Sequence, residues 1–194
     1  MKGNPTANKV LGASPHSLGN QVMRFVWAGA WLVFFRWSPR PMHAWRNMLL
    51  RLFGAKLHPT ARVYPRVIIW CPSRLKMGRD SCVGDDVEIY NVGGVEIGDH
   101  AVVSQYAYLC GATHDHEDVN FALVSKPIVI GARAWIAADV FIMAGVTIGE
   151  GTVVGARSDV FKDLPPWQVC VGSPARPIKP RELTPADYGD EVSD

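Results

Sequence analysis

Aliphatic residues recur at every sixth position along most of this chain. One run of six such positions begins at Ile130 and ends at Val160, and three runs of three positions precede it. All fifteen positions hold Val, Ile, Leu or Met; these four types make up 51 of the 194 residues, so chance would give about four matches. The pattern is a hexapeptide repeat, which is typical of a parallel β-helix. Its positions are Leu57, Val63, Ile69, Met77, Val83, Ile89, Ile97, Val103, Leu109, Ile130, Ile136, Ile142, Ile148, Val154 and Val160.

Each hexapeptide predicts one short strand and one corner, with the aliphatic residue pointing inward to stack on its equivalents in neighbouring coils. Three hexapeptides close a triangular coil of about 18 residues, so the register predicts about five coils. Glycine follows the aliphatic residue six times, where we expect a Cβ atom to be costly or crowded at the corner. These residues are Gly78, Gly84, Gly98, Gly131, Gly149 and Gly155.

The register is interrupted at three points. The steps from Ile69 to Met77 and from Ile89 to Ile97 each contain two extra residues, which predict wider corners. The step from Leu109 to Ile130 contains fifteen extra residues. We therefore expect a loop at 111–127 that leaves the coil, and long excursions from a rigid scaffold often carry function.

The segment before the repeat predicts helices. Residues 21–56 contain "FVWAGAWLVFF" at 25–35, which is too short to span a bilayer because a spanning helix needs about 20 residues. "SPRP" at 38–41 should interrupt the helix. Two interpretations stay open: a helical cap over the first coil, or a cap whose Trp and basic residues also contact a membrane surface.

These patterns divide the chain into four parts. We expect a flexible N-terminus at 1–20, the basic and aromatic cap at 21–56, the β-helix domain at 57–180 and a surface tail at 181–194. The composition, with 48% hydrophobic and 20% charged residues, is that of a globular protein. The first 20 residues lack the features of a signal peptide and the four cysteines share no CxxC spacing, which predicts a reduced cytoplasmic protein.

The charge is unevenly distributed. Residues 1–79 contain 13 Lys or Arg and no acid, whereas residues 80–194 contain 7 Lys or Arg and 18 acids. A basic half favours a polyanion or an anionic membrane surface as a neighbour, although a solvated basic face that binds nothing would have the same composition.

The candidate chemistry lies where the chain leaves the coil, in "LCGATHDHEDVNF" at 109–121. His114 follows the inward Leu109 by five residues, so a stiff scaffold would hold it for proton transfer near neutral pH. His116 lies farther out and has less to fix it. A zinc site would need a third ligand such as His100, and a solvated polar loop is the simplest alternative.

The residues also resemble a known family. The stretches that carry the resemblance are "AWRNMLLRLFGAKLHPTARVYP", "VGDDVEIY", "VEIGDHAVVSQYAYLCGATHDHE" and the run from "KPIVIGARAW" to "VCVGSPARPI". They resemble the hexapeptide-repeat O-acetyltransferases, particularly those of colanic-acid exopolysaccharide biosynthesis, and also the galactoside and maltose acetyltransferases. The resemblance covers roughly residues 20–180.

This resemblance implies a left-handed parallel β-helix, against the usual right-handed crossover, and a homotrimer with active sites between subunits. It implies acetyl-CoA as the donor, no required metal and no nucleic-acid partner. His114 matches the catalytic histidine in its "THD" setting and would act as the general base on a sugar hydroxyl.

The resemblance also implies binding residues. On the CoA side they are Ala138, Ala156, Phe161, Lys162, Arg176 and Lys179, of which the last two match basic residues that meet nucleotide phosphates. On the acceptor side the candidates are Asp86, Tyr90, Asn91 and Trp135. The acidic N-terminal contact of galactoside enzymes has no counterpart here. The basic, Trp-rich segment therefore favours a lipid-linked saccharide at the inner face of the membrane.

Other functions compatible with the repeat stay open. An amino-sugar N-acyltransferase or an antibiotic acetyltransferase would share the fold, and an amine acceptor would depend less on a base. A trimeric γ-type carbonic anhydrase would need zinc on His100, His114 and His116. A β-helical scaffold without activity would not bind CoA.

Overall fold

The computed structural model describes residues 18–183, apart from the side chains of Leu18 and Asn20. Most of this chain is a solenoid of short parallel strands that follows an N-terminal helical segment. The expectations of a flexible N-terminus and a surface tail fall largely on residues 1–17 and 184–194, outside the described part of the chain.

Five complete coils build the solenoid, and each supplies one strand to each of three faces. The first three coils contain β1 (Lys56–Leu57), β2 (Arg62–Val63), β3 (Ile68–Ile69), β4 (Leu75–Met77), β5 (Cys82–Val83), β6 (Glu88–Tyr90), β7 (Val95–Ile97), β8 (Val102–Val103) and β9 (Tyr108–Cys110). β10 (Ala112–His114) and β11 (Leu123–Ser125) leave the coil. The chain then continues with β12 (Ile128–Ile130), β13 (Trp135–Ile136), β14 (Phe141–Met143), β15 (Thr147–Ile148), β16 (Val153–Val154), β17 (Asp159–Val160), β18 (Gln168–Gly172) and β19 (Ala175–Pro180).

The three faces are parallel sheets that meet at three edges. Face A contains β1, β4, β7, β12 and β15; face B contains β2, β5, β8, β13, β16 and β18, with β19 antiparallel at its end; face C contains β3, β6, β9, β14 and β17. We name the edges A–B, B–C and C–A after the faces that they join. A sixth coil begins with Leu164, which bridges to Ile148 on face A.

Burial confirms the hexapeptide register. All fifteen predicted inward residues are at most 9% exposed and lie in one hydrophobic core. Equivalent residues pair between successive coils: Leu57 pairs with Met77 and Ile136 with Val154. The stacked aliphatic columns therefore form the core, as the periodicity predicts.

The glycines mark close approach between coils. A Cβ atom on Gly98 would lie 2.5 Å from the backbone nitrogen of Ala132 in the next coil. Gly98 does not have a positive φ, whereas the non-glycine corner residues His100 and Arg133 do, at 58° and 57°. Crowding by the neighbouring coil, rather than the backbone conformation, thus explains this glycine.

The two short slips are wider corners, as predicted. The first contains a 3-10 helix, Pro72–Arg74, and the second contains Asn91. Asn91 is fully buried, and its side-chain amide donates to the carbonyl of Cys71 (2.8 Å) and accepts from the Cys71 N–H (3.0 Å). This side chain therefore takes the place of a β-ladder where the corners are too wide for one.

The long excursion is an antiparallel hairpin. β10 pairs with β11, with Ala112 opposite Ser125 and His114 opposite Leu123. The loop expected at 111–127 leaves the coil as predicted, but its base is held by regular strand pairing.

The N-terminal segment packs on the first coil. It consists of α1 (Leu18–Ala30), a π-helical turn (Trp31–Phe35) and α2 (His43–Leu52). The indole N–H groups of Trp27 and Trp31 donate to the carbonyls of Ile69 (2.7 Å) and Val67 (2.8 Å). The predicted N-terminal helical segment is confirmed, and these bonds join it to the first coil. No described helix combines the length and apolar character needed to cross a bilayer.

Candidate active site

His114 lies at the end of β10, where the hairpin leaves the C–A edge. Its ring Nδ1 is 2.6 Å from the carbonyl oxygen of Phe121 on the opposite arm. Since a carbonyl can only accept, Nδ1 must carry the proton of the neutral ring, and Nε2 keeps its lone pair. The side chain is exposed to solvent. His114 is thus held in the tautomer that a general base at Nε2 requires.

The acids beside His114 shape the hairpin turn. Asp115 Oδ1 accepts from the Glu117 N–H (3.0 Å), and Asp118 Oδ1 accepts from the Asn120 N–H (2.7 Å). Such side-chain turns are a common use of Asp. Among the contacts of residues 18–183, no carboxylate hydrogen-bonds to the His114 ring. The hairpin backbone therefore orients this histidine.

An aromatic column leads to the hairpin along the C–A edge. Trp70, Tyr90 and Cys110 follow the inward residues of β3, β6 and β9, and the rings of Trp70 and Tyr90 meet edge-on at 5.6 Å. Tyr90 pairs with Cys110 and therefore lies one coil below β9, the strand from which the His114 hairpin departs. On β9 itself, burial and a hydrogen bond to Cys110 raise the pKa of the Tyr108 hydroxyl.

The predicted CoA residues lie at three places. Ala138 and Ala156 occupy the B–C edge in adjacent coils, where the Arg157 N–H donates to the Ala138 carbonyl (3.0 Å). Phe161 and Lys162 are exposed at the C–A end of face C in the fifth coil. Arg176 and Lys179 are exposed on β19. One chain does not gather these residues around His114.

The acceptor candidates are also dispersed. Asp86 lies at the B–C edge, where Arg66 Nε and Nη2 bind its carboxylate at 2.9 and 2.7 Å. Trp135 is exposed on face B and donates to Ser104 Oγ (3.0 Å). Asn91 has no exposed surface, so the structure gives it a corner-holding role and removes it from the set that could contact an acceptor. Of the three exposed or partly exposed candidates, Tyr90 alone shares the C–A edge with His114.

Within one chain, the three histidines of the zinc interpretation do not converge. His100 lies at the A–B edge, with Nδ1 3.9 Å from Asp80 Oδ2, while His114 and His116 belong to the hairpin at the C–A edge. Within the described part of one chain, no group of three His, Cys, Asp or Glu residues could hold a metal ion.

Comparisons with known proteins place these features in a family. The family model for bacterial transferase hexapeptides (six repeats) matches residues 127–158. The colanic acid biosynthesis acetyltransferase WcaF of Escherichia coli (strain K12) is 48% identical over 166 residues, which are 86% of this chain and 91% of that protein.

Two solved structures share the fold. A hexapeptide-repeat acetyltransferase from Vibrio cholerae O1 biovar eltor, complexed with acetyl coenzyme A, matches with a TM-score of 0.77 and 28% identity over 88% of this chain and 93% of that one. A galactoside acetyltransferase in complex with coenzyme A matches with a TM-score of 0.77 and 29% identity over 93% of this chain and 90% of that one. This chain is therefore a member of the hexapeptide-repeat acetyltransferases, with their left-handed parallel β-helix.

Proposed function

We propose that this protein transfers the acetyl group of acetyl-CoA to a sugar hydroxyl in exopolysaccharide biosynthesis, with His114 as the general base. The observation that carries the proposal is the 2.6 Å contact between His114 Nδ1 and the carbonyl of Phe121. It leaves Nε2 as the basic nitrogen at an exposed position on a rigid scaffold. The 48% identity to a colanic acid biosynthesis acetyltransferase supports a saccharide acceptor.

The reaction follows from the protonation states of His114. Nε2 takes the proton of the acceptor hydroxyl while the hydroxyl oxygen attacks the thioester carbonyl. The Phe121 carbonyl stabilises the imidazolium that forms, because it accepts from Nδ1. When the tetrahedral intermediate collapses, Nε2 returns the proton to the departing thiolate of CoA. The acetyl group ends on the sugar oxygen, and no acyl-enzyme forms.

A complete site requires a second copy of the chain. Ala138 and Ala156 lie at the B–C edge, whereas His114 lies at the C–A edge, on the other side of face C. A strand segment of about five residues separates the two edges, which is on the order of 15 Å. In a homotrimer, the C–A edge of one subunit would face the B–C edge of its neighbour and enclose the pantetheine of acetyl-CoA. The exposed Lys162, Arg176 and Lys179 would then bind its phosphates.

The helical cap supports an acceptor at a membrane surface. Val22, Val26 and Val33 of this segment are exposed to solvent, whereas Trp27 is buried against the first coil. Residues 1–79 contain no acid to oppose an anionic bilayer. We propose that these exposed side chains contact the cytoplasmic face of the membrane, where the acceptor is a lipid-linked saccharide.

The first test is His114→Ala with His116→Ala as the matched control in the same hairpin. His114→Ala should lower kcat by about 10²- to 10⁴-fold in an assay of thiol release from acetyl-CoA. CoA affinity and oligomeric state should not change. Equal losses in both variants would contradict the assignment, and a loss below about tenfold would favour an amine acceptor.

The membrane contact has its own test. The purified protein should co-sediment with vesicles that contain anionic lipid, and the bound fraction should fall as salt is raised. Val26→Ser with Val33→Ser should reduce binding without changing turnover on a free sugar. A bound fraction that changes with neither lipid charge nor salt concentration would show that the basic surface does not cause the binding.

A further inference from the structure

A groove of about 580 Å³ lies between α1 and the first coil, two coils below the strand that leads into the His114 hairpin. Its walls are mainly aromatic and aliphatic, and the side chains that matter here are Phe25, Trp27, Trp31, Ile68, Trp70 and Arg24. None of these residues has a role in the proposed chemistry of acetyl transfer.

Apart from Gln21 and Arg24, the side chains that line the groove are aromatic or aliphatic. The indole N–H groups of Trp27 and Trp31 are already bonded to carbonyls of the first coil. Phe25 and Ile68 are 82% and 48% exposed, so a large apolar surface remains in water. Covering it with hydrocarbon is favourable at about 25 cal/mol per Å². A sugar ring needs more polar partners than these walls supply, so the lining favours an apolar chain.

The groove also carries a positive charge. The Arg24 guanidinium lies 3.9 Å from the centre of the Trp70 ring, which holds it in place. Within the described chain, no carboxylate lies at ion-pair distance from Arg24. Arg24 can therefore bind an anionic head group, and a phosphate suits a guanidinium.

The groove leads toward the catalytic hairpin. Trp70 forms part of its wall and meets Tyr90 in the next coil, and Tyr90 pairs with Cys110 in the third. Two coil spacings of about 4.8 Å separate Trp70 from the strand that ends at Cys110, or about 10 Å in all. A ligand anchored in the groove would thus extend its head group along the C–A edge toward His114.

We infer that this groove binds the apolar chain of an anionic amphiphile, with its phosphate at Arg24. This role of the groove rests on the proposed function. It specifies the lipid-linked acceptor as a saccharide joined through phosphate to a long hydrocarbon chain. The groove holds the chain, and the sugar is presented to His114.

Isothermal titration of the full chain with dodecyl phosphate below its micellar concentration tests the groove directly. We expect saturable binding, about tenfold weaker binding of the uncharged dodecyl maltoside, and none of inorganic phosphate. Phe25→Ser and Arg24→Gln should each weaken dodecyl phosphate binding by about five- to tenfold. Phe34→Ser is the matched control, because Phe34 is 56% exposed on the same segment and does not line the groove.

Several results would overturn the inference. Equal binding by Phe25→Ser, Phe34→Ser and the unmodified protein would mean nonspecific adsorption. No binding, with a changed oligomeric state in Phe25→Ser, would mean that a second copy fills the groove. If thiol release with a free sugar depends on His114 but dodecyl phosphate does not bind, the groove inference fails and the proposed function stands. If dodecyl phosphate binds but no sugar is acetylated, the proposed function fails instead.

Discussion

Replacing Arg46 by methionine should destabilise the helical cap more than any other single charge removal in α2. Arg46 has no exposed surface, and burial lowers its pKa. Nevertheless, four of its five N–H groups donate to oxygen atoms, and Nε donates to the carbonyl of Val63 in the first coil (2.6 Å). The other oxygen acceptors are Ser38 Oγ and the carbonyls of Pro39 and Arg40.

The magnitude follows from the acceptors that lose their donor. Val63 keeps the His43 ring nitrogen as a neighbour at 3.0 Å, and the Ser38 hydroxyl keeps its own bond to Phe35. The carbonyls of Pro39 and Arg40 each lose a hydrogen bond from a charged donor, at about 1.5–3 kcal/mol each, although Pro39 keeps the Met42 N–H (3.0 Å). Removing a buried charge recovers part of this cost, so we expect a net loss of about 3 kcal/mol.

Urea unfolding with a shared m-value measures this loss. The matched control is Arg51→Met in the same helix, because Arg51 is exposed and its side chain hydrogen-bonds, within residues 18–183, to the Leu57 carbonyl alone. It should cost less than about 1 kcal/mol. Equal effects of the two substitutions, or a loss below about 1 kcal/mol for Arg46→Met, would show that the hydrogen bonds of this buried guanidinium do not stabilise the cap.

Three further predictions concern stability. Burial, with the nearby charges of Arg46 and Arg62, lowers the pKa of His43 below its ordinary 6.5. Below that pH the unfolded chain therefore binds a proton at His43 that the folded protein does not, so the free energy of unfolding should fall as the pH drops below about 6.5. The His43→Gln variant should lack this contribution to the pH dependence. Gly98→Ala should lower the thermal midpoint because its Cβ would lie 2.5 Å from a backbone nitrogen, whereas Gly29→Ala, with nothing within 4 Å, should raise it. Asn91→Leu should cost about 2–4 kcal/mol in urea unfolding while leaving the KM for the acceptor unchanged, and a selective rise in KM would return Asn91 to the acceptor site.

The solenoid could be predicted from the sequence because its core depends on one residue in six. Leu57 and Val160 mark the ends of a register in which every inward position is buried, since each must stack on its equivalent in the next coil. The hairpin pairing of β10 with β11 could not be predicted in this way. Its strands lie outside the core, so no burial pattern marks them.

The candidate site could be predicted only in part. His114 stands out because it follows the last inward residue before the excursion. Its partner is the backbone carbonyl of Phe121. Because every residue has a backbone carbonyl, the residue types in the sequence do not indicate this partner. Asn91 shows the opposite problem: a polar residue beside a predicted site suggests binding, but the two bonds to Cys71 that bury it form only in the folded corner.

The separation of His114 from Ala156 gives a direct test of a site shared between subunits. His114→Ala removes the proposed base at the C–A edge, and Ala156→Trp, at an exposed position, should block the B–C edge. Each variant alone should be inactive. In trimers assembled from equal amounts of the two, half of the copies retain His114 and half of their neighbours retain Ala156, so about a quarter of the sites should be intact. Turnover near a quarter of the unmodified value is therefore expected after unfolding and joint reassembly. If both residues served the same chain, mixing would restore nothing, because no copy would carry both.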